Sequence, residues 1–175
     1  MADDLSARLK PLRLMAFDVD GILTDGKLHY TDDGVETKTF HALDGQGMNM
    51  LREAGMKLAI ITSRRSPLVE RRARDLGLHY CYQGVRNKRE ALDEILSELK
   101  LRPEQAGYMG DDLFDLGAML RAGFAATVPA APEAVRSRSH YVTTRAGGDG
   151  AVREVCELIL STQGLLDGLI EGYLK

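Results

Sequence analysis

Short apolar runs that each stop at a polar cluster, separated by stretches of helical spacing, constrain this chain more than any other feature. Arg13-Leu14-Met15-Ala16-Phe17 is the first, and similar runs recur at 57–62, 79–82, 107–109 and 124–128. Runs this short, without alternation of apolar and polar residues, suit strands buried on both faces of a parallel sheet. Between them, 67–76, 88–100 and 115–122 carry helical spacing, with Leu92, Ile95, Leu96 and Leu99 on one face of the second. The β-α-β-α order calls for right-handed crossovers, so the expected fold is α/β, a Rossmann-like doubly wound parallel sheet. In that architecture ligands collect at the carboxyl ends of the strands.

One segment interrupts the alternation. Residues 27–30 and 35–40 flank Thr31-Asp32-Asp33-Gly34, which predicts a β-hairpin inserted after the first strand, at about 27–40. Val35, Thr37 and Thr39 alternate there with Glu36, Lys38 and Phe40, so burying either face requires a partner, which favours an oligomer. From Ala151 onward Val152, Val155, Cys156 and Ile159 describe a last amphipathic helix, and the tail after Gln163 is weakly patterned. Gly147-Gly148-Asp149-Gly150 follows no long strand and predicts a loop, not a dinucleotide site. At 175 residues the chain is expected to form a single domain, with no room for a separate cap.

The charge pattern excludes some partners. Net charge is −3 and the basic residues are scattered, which gives neither nucleic acid nor an anionic membrane a footprint. Met1-Ala2-Asp3-Asp4 does not resemble a signal peptide, and no apolar stretch is of bilayer length, so a cytoplasmic location is expected. Cys81 and Cys156 lack metal or redox spacing and are expected to be buried thiols. The histidines, likewise, show no zinc-ligand spacing.

Acidic residues fall where strands end: Asp18 and Asp20 after the first, and Asp111, Asp112 and Asp115 after Gly110. Carboxylates gathered this way repel one another unless a cation sits among them, and a hard, oxygen-lined site suits Mg²⁺. Thr62, at the end of its run, offers a hydroxyl to a phosphate oxygen, and Lys88, at a helix start, offers a point charge. Phosphoryl transfer needs such parts: a nucleophile, a metal and fixed donors for the equatorial oxygens. Asp18 suits attack on phosphorus, giving an aspartyl-phosphate. Asp20, two residues on, suits protonation of the leaving alcohol and later activation of water. Gly21 lets the chain turn sharply beside them.

Asp18-Val19-Asp20-Gly21, Ile60-Ile61-Thr62, Lys88 and Gly110-Asp111-Asp112-Leu113-Phe114-Asp115, in this order, resemble the haloacid dehalogenase superfamily. The resemblance implies Asp18 as nucleophile and metal ligand, Asp20 as acid/base ligating Mg²⁺ through its backbone carbonyl, and Asp111 as the other carboxylate on the metal. Asp112 and Asp115 would act through water or by orienting Lys88. Together with Asp44-Gly45, Ser63-Arg64, Tyr82-Gln83-Gly84-Val85 and the 147–156 segment, these motifs are similar, over roughly residues 12 to 163, to the 3-deoxy-D-manno-octulosonate 8-phosphate phosphatase family. That family has no large cap domain, assembles a tetramer through its hairpin, and releases the free sugar acid for lipopolysaccharide synthesis. The resemblance therefore implies a homotetramer and a phosphorylated sugar acid as substrate. Its substrate contacts would fall on Asp20, on His41, Ala42, Leu43, Asp44 and Gly45, on Thr62, Ser63 and Arg64, and on Arg72 and Lys88. Planar guanidinium groups suit the carboxylate of such a substrate. Ser63 stands where the family usually has Gly, and Leu43 and Asn49 stand where some members have basic residues, departures that bear on fine specificity.

Each residue also has a plainer role. Strand-end Asp residues cap helices, Lys88 alone is an ordinary helix-start lysine, and the arginines of 64–74 are by default a solvated face. Two other functions fit the motifs: a phosphatase of a nine-carbon sialic-type acid phosphate, and a non-enzymatic receiver-like module that takes up a phosphoryl group. A receiver carries its acceptor Asp on a middle strand, whereas here the DxDG follows the first run.

Overall fold

The computed structural model describes residues 2–174. Its main sheet contains β1 (Leu14–Phe17), β4 (Lys57–Thr62), β5 (Tyr80–Gln83), β6 (Ala106–Met109), β7 (Phe124–Thr127) and β8 (Tyr141–Val142). All pairings are parallel and the order is β5-β4-β1-β6-β7-β8. β1, β6 and β7 are buried at every position, as a sheet covered on both faces demands. β5, at an edge, is only half-buried.

The chain walks outward from β1 through β4 to β5, then returns to β6 and walks the other way. Right-handed crossovers consequently place α2 (Ala42–Glu53) and α3 (Pro67–Asp75) on one face, and α4 (Lys88–Leu99) and α5 (Leu116–Arg121) on the other. α7 (Ala151–Thr162) packs on α2, and α4 packs on α5. Reversal of direction between β1 and β6 makes the crevice beyond their carboxyl ends the topological switch point.

Local chemistry sets the helix starts that matter for the site. Ser66 caps α3 by accepting from the Leu68 amide at 3.3 Å, with Pro67 in the first turn. Asn87 caps α4 by accepting from the Glu90 amide, which fixes Lys88 as the first helical residue. Asp112 accepts from the Leu113 amide at 2.7 Å and opens a 3₁₀ turn, Leu113–Asp115, that runs into α5.

The predicted hairpin is present as β2 (His29–Tyr30) and β3 (Glu36–Thr37), antiparallel, with Tyr30 opposite Glu36. Its partner differs from expectation on one face. Glu36, Lys38 and Phe40 turn toward the body of the same chain, where Lys38 meets Asp20 and Arg72 lies 5.6 Å over the Phe40 ring. The opposite face remains open, with Val35, Thr37 and Thr39 exposed. Five helices and strands carried no clear sequence signal: α1 (Ala2–Leu9), α2, α6 (Glu133–Arg136), β8 and α8 (Leu166–Gly172). Among the described residues no helix is long and apolar enough to cross a membrane, and both cysteines are free thiols.

Candidate active site

The end of β1 delivers Asp18 to the switch point, held by a 2.9 Å hydrogen bond from its amide to the Met109 carbonyl. The chain then turns so tightly that Gly21 adopts φ +90° against Asp111, and a Cβ there would collide with the Asp111 carboxylate. The 147–150 loop closes on this turn from outside. Its Gly148 amide donates to the Ile22 carbonyl at 2.9 Å, and a side chain at Gly147 would strike the Gly21 carbonyl. The late glycine cluster therefore serves the Asp18-to-Gly21 turn as backbone packing.

Lys88 is the hub. Its buried ammonium lies 2.8 Å from Asp18 Oδ1 and 2.6 Å from Asp115 Oδ1. An ammonium at a helix N-terminus opposes the helix dipole, and the two carboxylates offset both that and the loss of water. Burial alone would depress its pKa, but Asp18 and Asp115 outweigh burial and hold it above the ordinary lysine value. Asp115 is fully engaged. Oδ1 also accepts from the Tyr108 hydroxyl at 2.9 Å, while Oδ2 accepts from the amides of Asp111 and Asp112 at 3.1 and 3.2 Å.

Carboxylate oxygens of Asp18, Asp111 and Asp115 converge within 4.8 Å of one another. Burial, then the charge of Asp115, pushes Asp18 up to about 6 against the pull of Lys88. Burial, then Asp18, Asp115 and Asp112, pushes Asp111 up to about 7. Such crowding fits a divalent cation. Because four donors already saturate Asp115, the carboxylates with capacity left for a metal are Asp18 and Asp111.

A raised carboxylate pKa has a definite stability consequence without metal. Below about pH 4 Asp111 is protonated whether folded or unfolded and contributes nothing. As pH rises the unfolded chain ionises first, and the destabilisation is complete above about pH 7. In EDTA, Asp111→Asn should therefore be more stable than the parent at pH 7.5 by on the order of 1 kcal/mol, an advantage that fades toward pH 4. Thermal unfolding across pH checks it, and saturating Mg²⁺ should reverse the order.

A cavity of about 350 Å³ opens over these carboxylates, lined also by Asp20, Thr62, Ser63 and Arg64. Arg64 reaches the hairpin, donating to Glu36 Oε1 at 2.8 Å and to the Tyr30 hydroxyl at 3.0 Å. Gly26 and Leu28, from the base of the hairpin, and Phe114, 72 % exposed, form the rim. Lys38, which the sequence did not single out, pairs with the Asp20 carboxylate. Its signal lay in the hairpin alternation that puts it on the same face as Glu36 and Phe40.

Other expected substrate contacts stand elsewhere. Asp44, in the first turn of α2, buries its carboxylate against the start of α7, its two oxygens accepting from the Gly150 amide at 3.3 Å and the Arg153 amide at 2.8 Å. His41 and Ala42 begin α2, and His41 Nε2 lies 3.8 Å from Asp149. Gly45 lets the Arg72 guanidinium pass, since a Cβ would clash with it. Arg72 donates to the His41 carbonyl at 3.4 Å and lines a cleft with Phe40, while exposed Leu43 lines another with Arg145 and Arg153. Within one chain none of these six lines the cavity over Asp18.

A doubly wound sheet with a DxDG carboxylate, a strand-end Thr, a buried Lys and a second carboxylate at its switch point has the parts of a metal-assisted phosphoryl-transfer hydrolase. Residues 28–128 match the model of the haloacid dehalogenase-like hydrolases, and the chain belongs to that family. Within it, the chain is similar to 3-deoxy-D-manno-octulosonate 8-phosphate phosphatases. That of Yersinia pestis is 43% identical over 168 residues, 96% of this chain and 90% of the relative. A crystal structure of the Moraxella catarrhalis enzyme, in complex with a magnesium ion, a phosphate ion and a KDO molecule, superposes with TM-score 0.97 at 44% identity, covering 99% of each chain. The cobalt-bound enzyme of Haemophilus influenzae superposes with TM-score 0.91 at 36% identity over 96% of this chain and 99% of that one.

Proposed function

We propose that the chain hydrolyses 3-deoxy-D-manno-octulosonate 8-phosphate to the free sugar acid and phosphate, Mg²⁺-dependently, in lipopolysaccharide synthesis. The observation that carries this is the convergence of Asp18 and Asp111 at the switch point with the Lys88 ammonium 2.8 Å from Asp18.

Lys88 orients the Asp18 carboxylate and favours its ionised form, so that Oδ2, the oxygen not paired to Lys88, can attack phosphorus. The bond from phosphorus to the sugar oxygen breaks as the aspartyl-phosphate forms, and Asp20 gives its proton to the departing alkoxide. Asp20, now a carboxylate, takes a proton from water, and the water oxygen displaces Asp18 from phosphorus. Thr62, Ser63 and Lys88 line the cavity where the phosphoryl oxygens would rest. Asp18, Asp111 and the backbone carbonyl of Asp20 are the groups we assign to Mg²⁺, which when bound supplies positive charge to the phosphoryl oxygens. Asp112 shapes the turn, and Asp115 keeps Lys88 in place.

Arg64 is assigned to the substrate carboxylate, being the guanidinium in the cavity. His41, Ala42, Leu43, Asp44, Gly45 and Arg72 belong to this reading only across a subunit boundary, as in the homotetramer the family resemblance implies. The exposed apolar residues of the hairpin, Leu28, Tyr30 and Val35, suit such an interface. A cytoplasmic location fits the two free thiols. Phosphate release across eight- and nine-carbon sugar-acid phosphates and ordinary hexose phosphates tests the assignment. A preference of about 10-fold or more in kcat/KM for the eight-carbon acid is expected, and preference for a hexose phosphate would overturn it.

A further inference from the structure

The hairpin carries two charges, Lys38 and Glu36, to which the phosphatase chemistry above gives no role. Lys38 is 2 % exposed at its side chain. A buried ammonium is retained only where carboxylates replace its water, and it has two: Asp20 Oδ1, and Glu36 Oε1 at 3.2 Å. Glu36 in turn accepts from Arg64 at 2.8 Å, and Arg64 Nε stands 3.6 Å from Asp20 Oδ2. The four groups close a ring in which cation and anion alternate, Asp20, Lys38, Glu36, Arg64. Two members belong to the hairpin, one to the nucleophile turn and one to the end of β4, so the ring joins three separate parts of the chain at the mouth of the cavity.

We propose that Lys38 is a positioning residue for Asp20, holding the acid/base carboxylate in its working orientation and coupling that orientation to hairpin docking. The inference rests on the assignment of Asp20 above. Asp20 sits in a turn whose neighbour Gly21 has φ +90°, and Lys38 is the side chain in hydrogen-bond contact with its carboxylate. An acid/base group works only when held within reach of the atom it protonates. With Lys38 gone, Oδ1 loses its partner and the carboxylate is free to swing toward Arg64 or into water. A hairpin that merely stapled the fold would leave turnover alone once folded. A positioning role lowers kcat through Asp20.

The experiment compares Lys38→Met and Lys38→Arg with the parent in the full chain with Mg²⁺, measuring kcat and KM on glycerol 2-phosphate, whose alkoxide leaving group needs the proton that Asp20 supplies. Lys38→Met should lower kcat about 10- to 100-fold, a share of the ~10²–10⁴-fold that a positioned acid/base contributes, with KM changed by less than about 3-fold. Lys38→Arg, which keeps a cation on Asp20, should recover most of the loss. In an Asp20→Asn background Lys38→Met should cost less than about 2-fold, because a residue acting through Asp20 has nothing left to position. Should Lys38→Met fail to fold, Lys38→Gln carries the same expectations. A kcat within about 2-fold of the parent, an undiminished loss in the Asp20→Asn background, or a loss confined to KM would overturn the proposal. The simple alkyl phosphate keeps the outcome separate from the substrate assignment: a parent that cleaves it but not the sugar-acid phosphate refutes the substrate alone.

Discussion

Asp18→Asn is expected to abolish turnover, by at least about 10⁴-fold in kcat, while leaving the fold intact. The amide matches the carboxylate in shape but cannot attack phosphorus, and no other carboxylate of the cavity can take over. Asp115 Oδ1 and Oδ2 are both committed to donors, Asp20 is tied to Lys38, Asp111 is packed under Gly21, and Asp112 is held by the Leu113 amide. Stability should change little, because the variant relieves repulsion from Asp115 and on Asp111 while weakening one of the two ion pairs of Lys88. Turnover of an aryl phosphate with Mg²⁺, set beside a thermal unfolding curve, checks both halves. Retained hydrolysis in a folded variant would remove Asp18 from its role.

Lys88→Met has the second large effect, and it falls on stability as well as activity. It leaves Asp115 fully buried with its charge uncompensated, and Asp18 nearly so. Breaking a buried pair from one side costs about 3–5 kcal/mol, which for a chain of this size is roughly 10 °C in Tm. The loss should shrink as pH falls, since protonation neutralises the carboxylates that Lys88 no longer balances. Asp18 already sits near 6 with Lys88 present, so without it the recovery should be under way by pH 6. Tm of parent and variant measured between pH 8 and pH 5 tests this, and a pH-independent difference would show that packing, not charge, is what Lys88 contributes.

These expectations draw unequally on what can be read in a linear chain. β1, β4, β5, β6 and β7 announce themselves because a short run with no polar alternation has few other uses, and α3, α4 and α7 because their apolar residues recur on one face. α2 does not: Gly45 and Gly47 dilute its helical pattern, and both are there so that Arg72 and Arg153 can approach closely. β8, two residues long, is too short for any period to register, and its place beside β7 comes from the fold.

The chain by itself determined the α/β class and the acidic strand ends, because burial pattern and motif spacing are local properties. Asp18, Thr62, Lys88 and Asp111 were legible for the same reason: each closes or opens an element whose pattern can be seen. Tertiary structure alone decided which charges face one another. It put Lys88 between Asp18 and Asp115, saturated Asp115 with four donors, and committed Asp44 to the first turn of α7. It also turned the Glu36, Lys38 and Phe40 face of the hairpin inward onto Asp20 and Arg72. The pairings of Lys38, Lys88 and Asp44 join residues 18 to 109 positions apart, and only the strand order and the return of the hairpin bring them within a hydrogen bond.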